Sequence, residues 1–167
     1  LFQSDFTGKF NLSVLCEYRC RTIFHCVLRG IVLTSCFSQY LDSVLDMHLC
    51  EELRLGVCAT ADGGAALFNM EDGQFFVGIM LFEVAARSVL IMKHKHGTGY
   101  SVLAGGSDGT IHRIPLNIDP TSGRVDEDSP FGVSDDTDTV IKPRHVGPVM
   151  CMASPGEGRF VSGGQDG

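Results

Sequence analysis

The sequence predicts an all-β fold built from short antiparallel strands. Its 167 residues include 20 glycines, which indicates frequent turns. Three of the Asp-Gly pairs in the chain each follow a short apolar run that ends in small residues. Asp-Gly between two extended runs is typical of a tight hairpin, because glycine readily adopts the positive φ that such a turn requires. The pairs are Asp62-Gly63, Asp108-Gly109 and Asp166-Gly167.

The spacing of these pairs, 46 and 58 residues, indicates a repeated unit. After the first two pairs, "GAALFNM" and "TIHRIPL" have the period of a strand. Another candidate strand precedes each hairpin, at 43–50, 87–94 and 147–154, and "FFVGIMLF" at 75–82 is a fourth strand of the first unit. The unit is therefore predicted to contain four short antiparallel strands.

These stretches resemble WD-repeat proteins, in which a small-residue strand leads to Asp-Gly and the next strand usually ends in Trp-Asp. The resemblance is best over 145–167, "HVGPVMCMASPGEGRFVSGGQDG", good over 87–116 and fair over 43–82. It implies a partial β-propeller of about three four-stranded antiparallel blades, the last of them truncated. Propellers close with four to eight blades, so we expect the natural protein to be longer.

The chain departs from the family pattern because it contains no tryptophan. Phe68-Asn69 and Ile114-Pro115 stand where Trp-Asp is usual. Pro115 has no backbone N–H, which predicts that it lies at a strand end or on an edge strand.

Blades of the family often join His, Ser or Thr, Asp and Trp in one hydrogen-bond network. The resemblance implies that His145, Ser162 and Asp166 supply three members of such a structural network. The other two units have Cys58 and Ala104 at the Ser or Thr position. Those units are expected to depend more on packing.

Two segments lie outside the repeat. Residues 1–42 form a divergent N-terminal segment, either a degraded blade or an extension, ahead of the propeller-like region 43–167. Within that region, 119–139 is predicted to be an exposed acidic loop inserted between blades, since such a run cannot bury enough apolar surface to order itself. A solvated negative loop is the default interpretation, and a docking site for a basic partner is the alternative. Its acidic residues between 126 and 138 are Asp126, Glu127, Asp128, Asp135, Asp136 and Asp138.

Two groups of cysteine and histidine residues have both a ligand-binding and a structural interpretation. Cys16, Cys20, His25 and Cys26 are close in sequence and could bind zinc, but no second pair follows at a usual interval, which favours buried thiols. The two histidines of the "KHKHG" segment fall on one face of a strand. They could form a metal-binding pair or a basic contact, or they could be ordinary surface residues.

Three further patterns lack a required residue. The acids of "SDDTDTVIKPR" lack the central Gly and terminal Glu of a helical-type Ca²⁺ loop. The glycine-rich turns lack the lysine and following helix of a phosphate loop. No Gly-x-Ser-x-Gly motif is present.

Composition limits the function classes. A net charge of −7 disfavours a general nucleic-acid or anionic-membrane binder. The most apolar run, 23–37, spans about 15 residues around Arg29, too few to cross a membrane. Seven cysteines, an odd number, favour reduced thiols and an intracellular setting.

The sequence favours a non-catalytic protein–protein interaction scaffold that works in a complex and needs no cofactor. The expected partners are proteins or peptides, including basic ones near the acidic loop. The alternative is a metalloprotein or enzyme that uses the N-terminal Cys/His cluster.

Overall fold

The computed structural model describes residues 27–28, 31–32, 43–71, 73, 75–95, 99–126, 128–132, 140–142 and 144–166. This part of the chain contains eleven β-strands and no helix, which confirms the all-β prediction. All paired strands are antiparallel.

Three sheets follow one another along the chain, after a two-residue pair formed by β1 (Val27–Leu28) and β2 (Ile31–Val32). Sheet 1 contains β3 (Val44–Cys50), β4 (Leu55–Thr60), β5 (Gly64–Asn69) and β6 (Phe75–Met80) in sequence order. Sheet 2 contains β7 (Ala86–Lys93), β8 (Tyr100–Gly106) and β9 (Ile111–Leu116). Sheet 3 contains β10 (Val149–Gly156) and β11 (Arg159–Gly164).

The three sheets share one irregularity of register near the start of the first strand. In each sheet, two steps along the first strand correspond to one step along the second, which defines a β-bulge. The paired residues on either side are Val44↔Thr60 and Asp46↔Ala59, Ala86↔Gly106 and Ser88↔Gly105, and Val149↔Gly164 and Cys151↔Gly163. The extra residues are Leu45, Arg87 and Met150. On each second strand, the residue paired just before the bulge lies two positions before the Asp of the Asp-Gly pair, so the three sheets repeat in register.

The sheets stack through two apolar layers. The first strands lie next to one another, with β3 against β7 and β7 against β10. The first layer joins sheets 1 and 2 and includes Val57, Leu67, Val89 and Val102. The second layer joins sheets 2 and 3, and its buried members are Leu90, Met92, Leu103, Ile111 and Val149.

Sheet 3 has one uncovered face. Val57, Leu103 and Val161 each lie five residues before the Asp of their turn. The first two are 0% exposed, whereas Val161 is 61% exposed. Strands β4 and β8 are buried along their whole length, but β11 is exposed or half-buried throughout.

The second unit differs from the predicted four strands. Its fourth strand is reduced to two isolated bridges along β9, Leu116↔Phe131 and His112↔Val140. Nine positions separate Phe131 from Val140, but only four separate their partners, so the acidic insertion interrupts this strand. Pro115 lies on β9, an edge strand of sheet 2, as its missing N–H requires.

The described part of 119–139 is exposed at most positions but is anchored at two points. Val125 bridges to Ile118 and joins the apolar layer of sheet 1, and Pro130 is also buried. Apolar residues within the acidic run therefore hold this part of the insertion against the sheets.

Candidate interaction surface at the Asp-Gly end

The structure brings His145, Ser162 and Asp166 together beside the last Asp-Gly turn. Asp166 lies just after β11, Ser162 lies within β11, and His145 lies in the linker that enters β10. The Nδ1 atom of His145 is 3.0 Å from Oδ1 of Asp166, and its Nε2 atom is 2.8 Å from Oγ of Ser162. The backbone N–H of Val146 donates to Oδ2 of Asp166 at 3.0 Å. One carboxylate therefore fixes both the imidazole ring and the linker backbone.

Each linker between sheets is anchored on the preceding Asp-Gly turn. The N–H of His145 donates to the carbonyl of Gly109 at 3.0 Å, and the N–H of Phe82 donates to the carbonyl of Gly63 at 3.2 Å. Both glycines have positive φ, +82° and +96°, and a Cβ there would lie within 2.5 Å of a linker carbonyl oxygen. Glycine is therefore required by conformation and by the close approach of the linker.

Hydrogen bonding keeps Asp166 ionised. The Val146 N–H lowers the pKa of Asp166 most, burial opposes this effect, and the hydrogen bond and charge of His145 lower it further. The ionised carboxylate can accept all the hydrogen bonds that the linker offers.

The other two Asp-Gly turns close without a histidine from the described residues. Asp108 accepts hydrogen bonds from the N–H and the hydroxyl of Thr110, at 3.1 and 2.7 Å. Asp62 hydrogen-bonds to the hydroxyl of Thr60 and to the N–H of Gly64. Gly167 lies outside the described residues.

Exposed apolar side chains gather at the Asp-Gly end of the sheets. Of the six large hydrophobic residues exposed in the described part, five lie here, and we call them the apolar rim. Leu45 and Met150 are bulge residues, Met80 pairs with Gly64, and Val84 and Val146 belong to the linkers. Val146 is 93% exposed, although the network above fixes its backbone. The sixth residue, Val161, lies on the uncovered face of sheet 3.

Charged residues surround the apolar rim. Exposed carboxylates come from the turns and the first linker, at Asp62, Glu83, Asp108 and Asp166. Exposed cations at this end are Arg87, Lys142 and Arg144, and Arg87 donates to Ser107 Oγ at 3.0 Å.

Other predicted site residues are only partly described. Asp126 and Asp128 are exposed, and the N–H of Asp128 donates to the Asp126 carboxylate. Four acids of the loop, Glu127, Asp135, Asp136 and Asp138, lie outside the described residues. So do Cys16, Cys20, His25 and Cys26. The described ranges hold no group of three or more His, Cys, Asp or Glu side chains suited to a metal ion.

The "KHKHG" segment includes a contact that the sequence did not predict. Nε2 of His94 is 2.7 Å from Oγ of the buried Ser101 and 3.0 Å from a guanidinium nitrogen of Arg113. Burial and, secondarily, the charge of Arg113 lower the pKa of His94. His94 therefore contacts Ser101 and Arg113 of sheet 2 as a neutral imidazole. His96 lies outside the described residues.

The apolar rim itself was missed at the sequence level. In an alternating strand, an apolar residue normally predicts a core position, and nothing in the sequence marks Leu45 or Met150 as a bulge. Rim and core residues are equally apolar, and they differ only in whether a neighbouring sheet covers them.

No model of a known protein family matches the chain, and a search of curated proteins finds no match. In the described ranges, no helix has the length and apolar character needed to span a membrane.

Proposed function

We propose that this chain is a non-catalytic scaffold that binds proteins or peptides, and that it binds them through the apolar rim. The observation that carries the proposal is the position of five of the six exposed large hydrophobic side chains of the described residues at one end of the sheets. Contiguous exposed apolar surface rimmed by polar groups is typical of protein–protein interaction sites.

The rim is suited to binding because its backbone is already ordered. The Asp166 carboxylate holds Val146, and the glycine turns hold both linkers. A side chain presented on a fixed backbone loses less conformational entropy when a partner covers it. Covering one such side chain completely contributes roughly 1.5–3 kcal/mol.

We also propose that the sheets are blades of a partial WD-repeat-type β-propeller. The repeated register, the stacking of first strands and the His145, Ser162 and Asp166 contacts support this interpretation. A rigid stack of sheets with binding residues in its turns and linkers fits a scaffold better than an enzyme.

The test is selection of short peptides from a random display library on the immobilised chain. Peptides that bind should lose at least tenfold in affinity on the variant Val146→Asp. The matched control is Val161→Asp, which adds the same charge at an exposed valine away from the rim. Loss of binding to both variants, or to neither, would contradict the assignment of the rim.

The acidic loop is tested in the same selection. If the enriched peptides are basic and lose affinity when Asp126, Glu127 and Asp128 are neutralised, the loop is the docking site and the rim is not. If no peptide is enriched, the scaffold proposal itself fails.

A hydrolase is the second candidate, because Ser162, His145 and Asp166 are connected in the order of a catalytic triad. Ser162, however, lies within β11 and pairs with Met152 of β10, and a small cavity of about 20 Å³ lies beside Leu53 and Arg124 instead. A fluorophosphonate probe should leave Ser162 unlabelled, and labelling would favour the hydrolase. Stoichiometric zinc that is lost on Cys16→Ser would favour the metalloprotein.

A further inference from the structure

Two side chains of sheet 1 cover an open edge of sheet 2. Within the described residues, β7 pairs only with β8, so its other edge has no strand partner. The N–H of Val89 on that edge donates to Oδ2 of Asp46 at 2.9 Å, and the N–H of Ile91 donates to Nδ1 of His48 at 3.3 Å. These bonds satisfy backbone groups that would otherwise be costly to bury.

The next junction uses a different chemistry at the same position. Ser88 follows the bulge of sheet 2 as Asp46 follows the bulge of sheet 1. Its hydroxyl donates to the carbonyl of Val149, the first residue of β10, at 3.2 Å. A serine hydroxyl does not titrate near neutral pH, so these contacts make only the first junction sensitive to pH.

The surroundings of Asp46 and His48 are apolar. Their partners across β4 are Ala59 and Val57, and β7 presents Val89 and Ile91. Among the described residues, the charge acting on each of the two is that of the other. The charged groups that flank them on these elements are Arg87, which donates to Ser107 Oγ, and Lys93 and Glu52, which are paired with each other.

We propose that the junction of sheets 1 and 2 is an acid-sensitive joint, in which protonation of His48 releases the N–H of Ile91 and loosens β7 from β3. The bond to Ile91 requires a lone pair on Nδ1, which the neutral ring with its proton on Nε2 provides. The imidazolium ion has no acceptor, so the N–H of the buried Ile91 loses its partner while a charge forms on the half-buried ring.

The sign of the effect follows from the titration of His48. Burial lowers the pKa of His48 from its usual 6.5, and the charge of Asp46 opposes this only in part. The closed joint therefore disfavours the proton, and its stability falls as pH falls below 6.5 towards the lowered pKa. If the closed form stays neutral, the opening equilibrium rises about tenfold between pH 7.5 and 5.5.

Asp46 acts in the opposite direction and at lower pH. Burial, its largest influence, raises the pKa of Asp46 above 3.8, while the N–H groups of Val89 and Met47 oppose this. The closed joint takes up that proton more readily than the open one, so this contribution increases stability as pH falls towards 3.8 and is lost as pH rises. The loss of stability as pH falls below 6.5 is therefore assigned to His48, because Asp46 would change stability in the opposite direction.

The experiment is amide hydrogen exchange, followed residue by residue by NMR on the full 167-residue chain at pH 7.5, 6.5 and 5.5. Rates are corrected for the intrinsic pH dependence of exchange. Protection of Ile91 is expected to fall over this range, by up to about tenfold, while amides of β8 stay protected. The variant His48→Asn places an amide oxygen close to where Nδ1 lies, so it keeps an acceptor that does not titrate, and it should remove the pH dependence.

Three results would overturn the proposal. Protection of Ile91 could be independent of pH in the unmodified chain. The β8 amides could lose protection in parallel, which would indicate global unfolding. The His48→Asn variant could keep the same pH dependence, which would assign the titration to another group. Because no partner is involved, each result is independent of the proposed scaffold function.

Discussion

Phe82 occupies in sheet 2 the position that His145 occupies in sheet 3. Each donates its backbone N–H to the glycine carbonyl of the preceding Asp-Gly turn. Each places its ring over the glycine two residues before the next Asp, since a Cβ on Gly106 would lie 2.6 Å from the Phe82 ring and one on Gly164 would lie 2.5 Å from the His145 ring. The Phe82 ring then packs edge-on against His112, at 4.8 Å between centroids. Apolar contact in one sheet thus replaces hydrogen bonding in the other.

This packing predicts that a methyl group at Gly106 is poorly tolerated. Gly106→Ala should lower the free energy of unfolding by roughly 1–3 kcal/mol, because the Phe82 ring must leave its contact with the backbone. Gly147→Ala is the matched control, since its Cβ would meet ordinary contacts no closer than 3.5 Å. Urea denaturation of both variants measures the difference, and equal stabilities would refute the close packing of Phe82.

Protonation of the Asp166 carboxylate in acid should destabilise the folded chain. Because hydrogen bonds lower its pKa in the folded chain, its contribution is present above about pH 3.8 and is lost as pH falls through the lowered value. Asp166→Asn removes this dependence. The stability difference between the unmodified chain and Asp166→Asn, measured by denaturation from pH 6 to 2.5, should therefore shrink as pH falls. A difference that is constant over this range would argue against the ionic role.

The cysteines of the sheets should differ sharply in reactivity. Burial raises the pKa of Cys58 to about 12, while Cys151 is exposed on the uncovered face of sheet 3. Alkylation needs the thiolate and access to it, so iodoacetamide at pH 8 should modify Cys151 and spare Cys58. Peptide mass spectrometry after timed quenching follows both sites. In urea the two rates should become similar, and early labelling of Cys58 in the folded chain would contradict its burial.

Ser88→Ala should weaken the junction of sheets 2 and 3. The substitution leaves the buried Val149 carbonyl without the donated hydrogen bond, which costs about 1–3 kcal/mol. Ser129→Ala, at an exposed position, is the control and should change stability by less than about 0.5 kcal/mol. Thermal unfolding followed by circular dichroism compares the two variants, and similar midpoints would show that the Ser88 bond contributes little.

Local features of the fold could be predicted from the sequence, because they depend on residues close in the chain. Asp62-Gly63 and Asp108-Gly109 fix their hairpins by backbone conformation, and the alternation of "TIHRIPL" marks β9. The first strand of sheet 3 begins at Val149, whereas the sequence predicts a start at 147. The residue Val146, just before this point, is bound to Asp166 in the linker.

Long-range features could not be predicted in this way. The bulges at Leu45 and Met150 depend on pairing, and the contacts of Asp46 and His48 depend on a strand more than forty residues away. The sequence gives these residues no special neighbours, so they look like ordinary strand positions. Phe82 is similar, since its place over Gly106 follows from the path of the linker.

The uncovered face of sheet 3 implies that local stability against unfolding differs along the chain. In stacked sheets, each layer is held mainly by the groups packed on its two faces, so a layer with an exposed face melts before a layer whose strands are buried on both faces. Val161 and Cys151 contact solvent where Val57 and Leu103 are enclosed. We therefore expect β10 and β11 to unfold on heating, or to be cleaved by a protease, before sheet 2. The described part of the molecule should not unfold in one step.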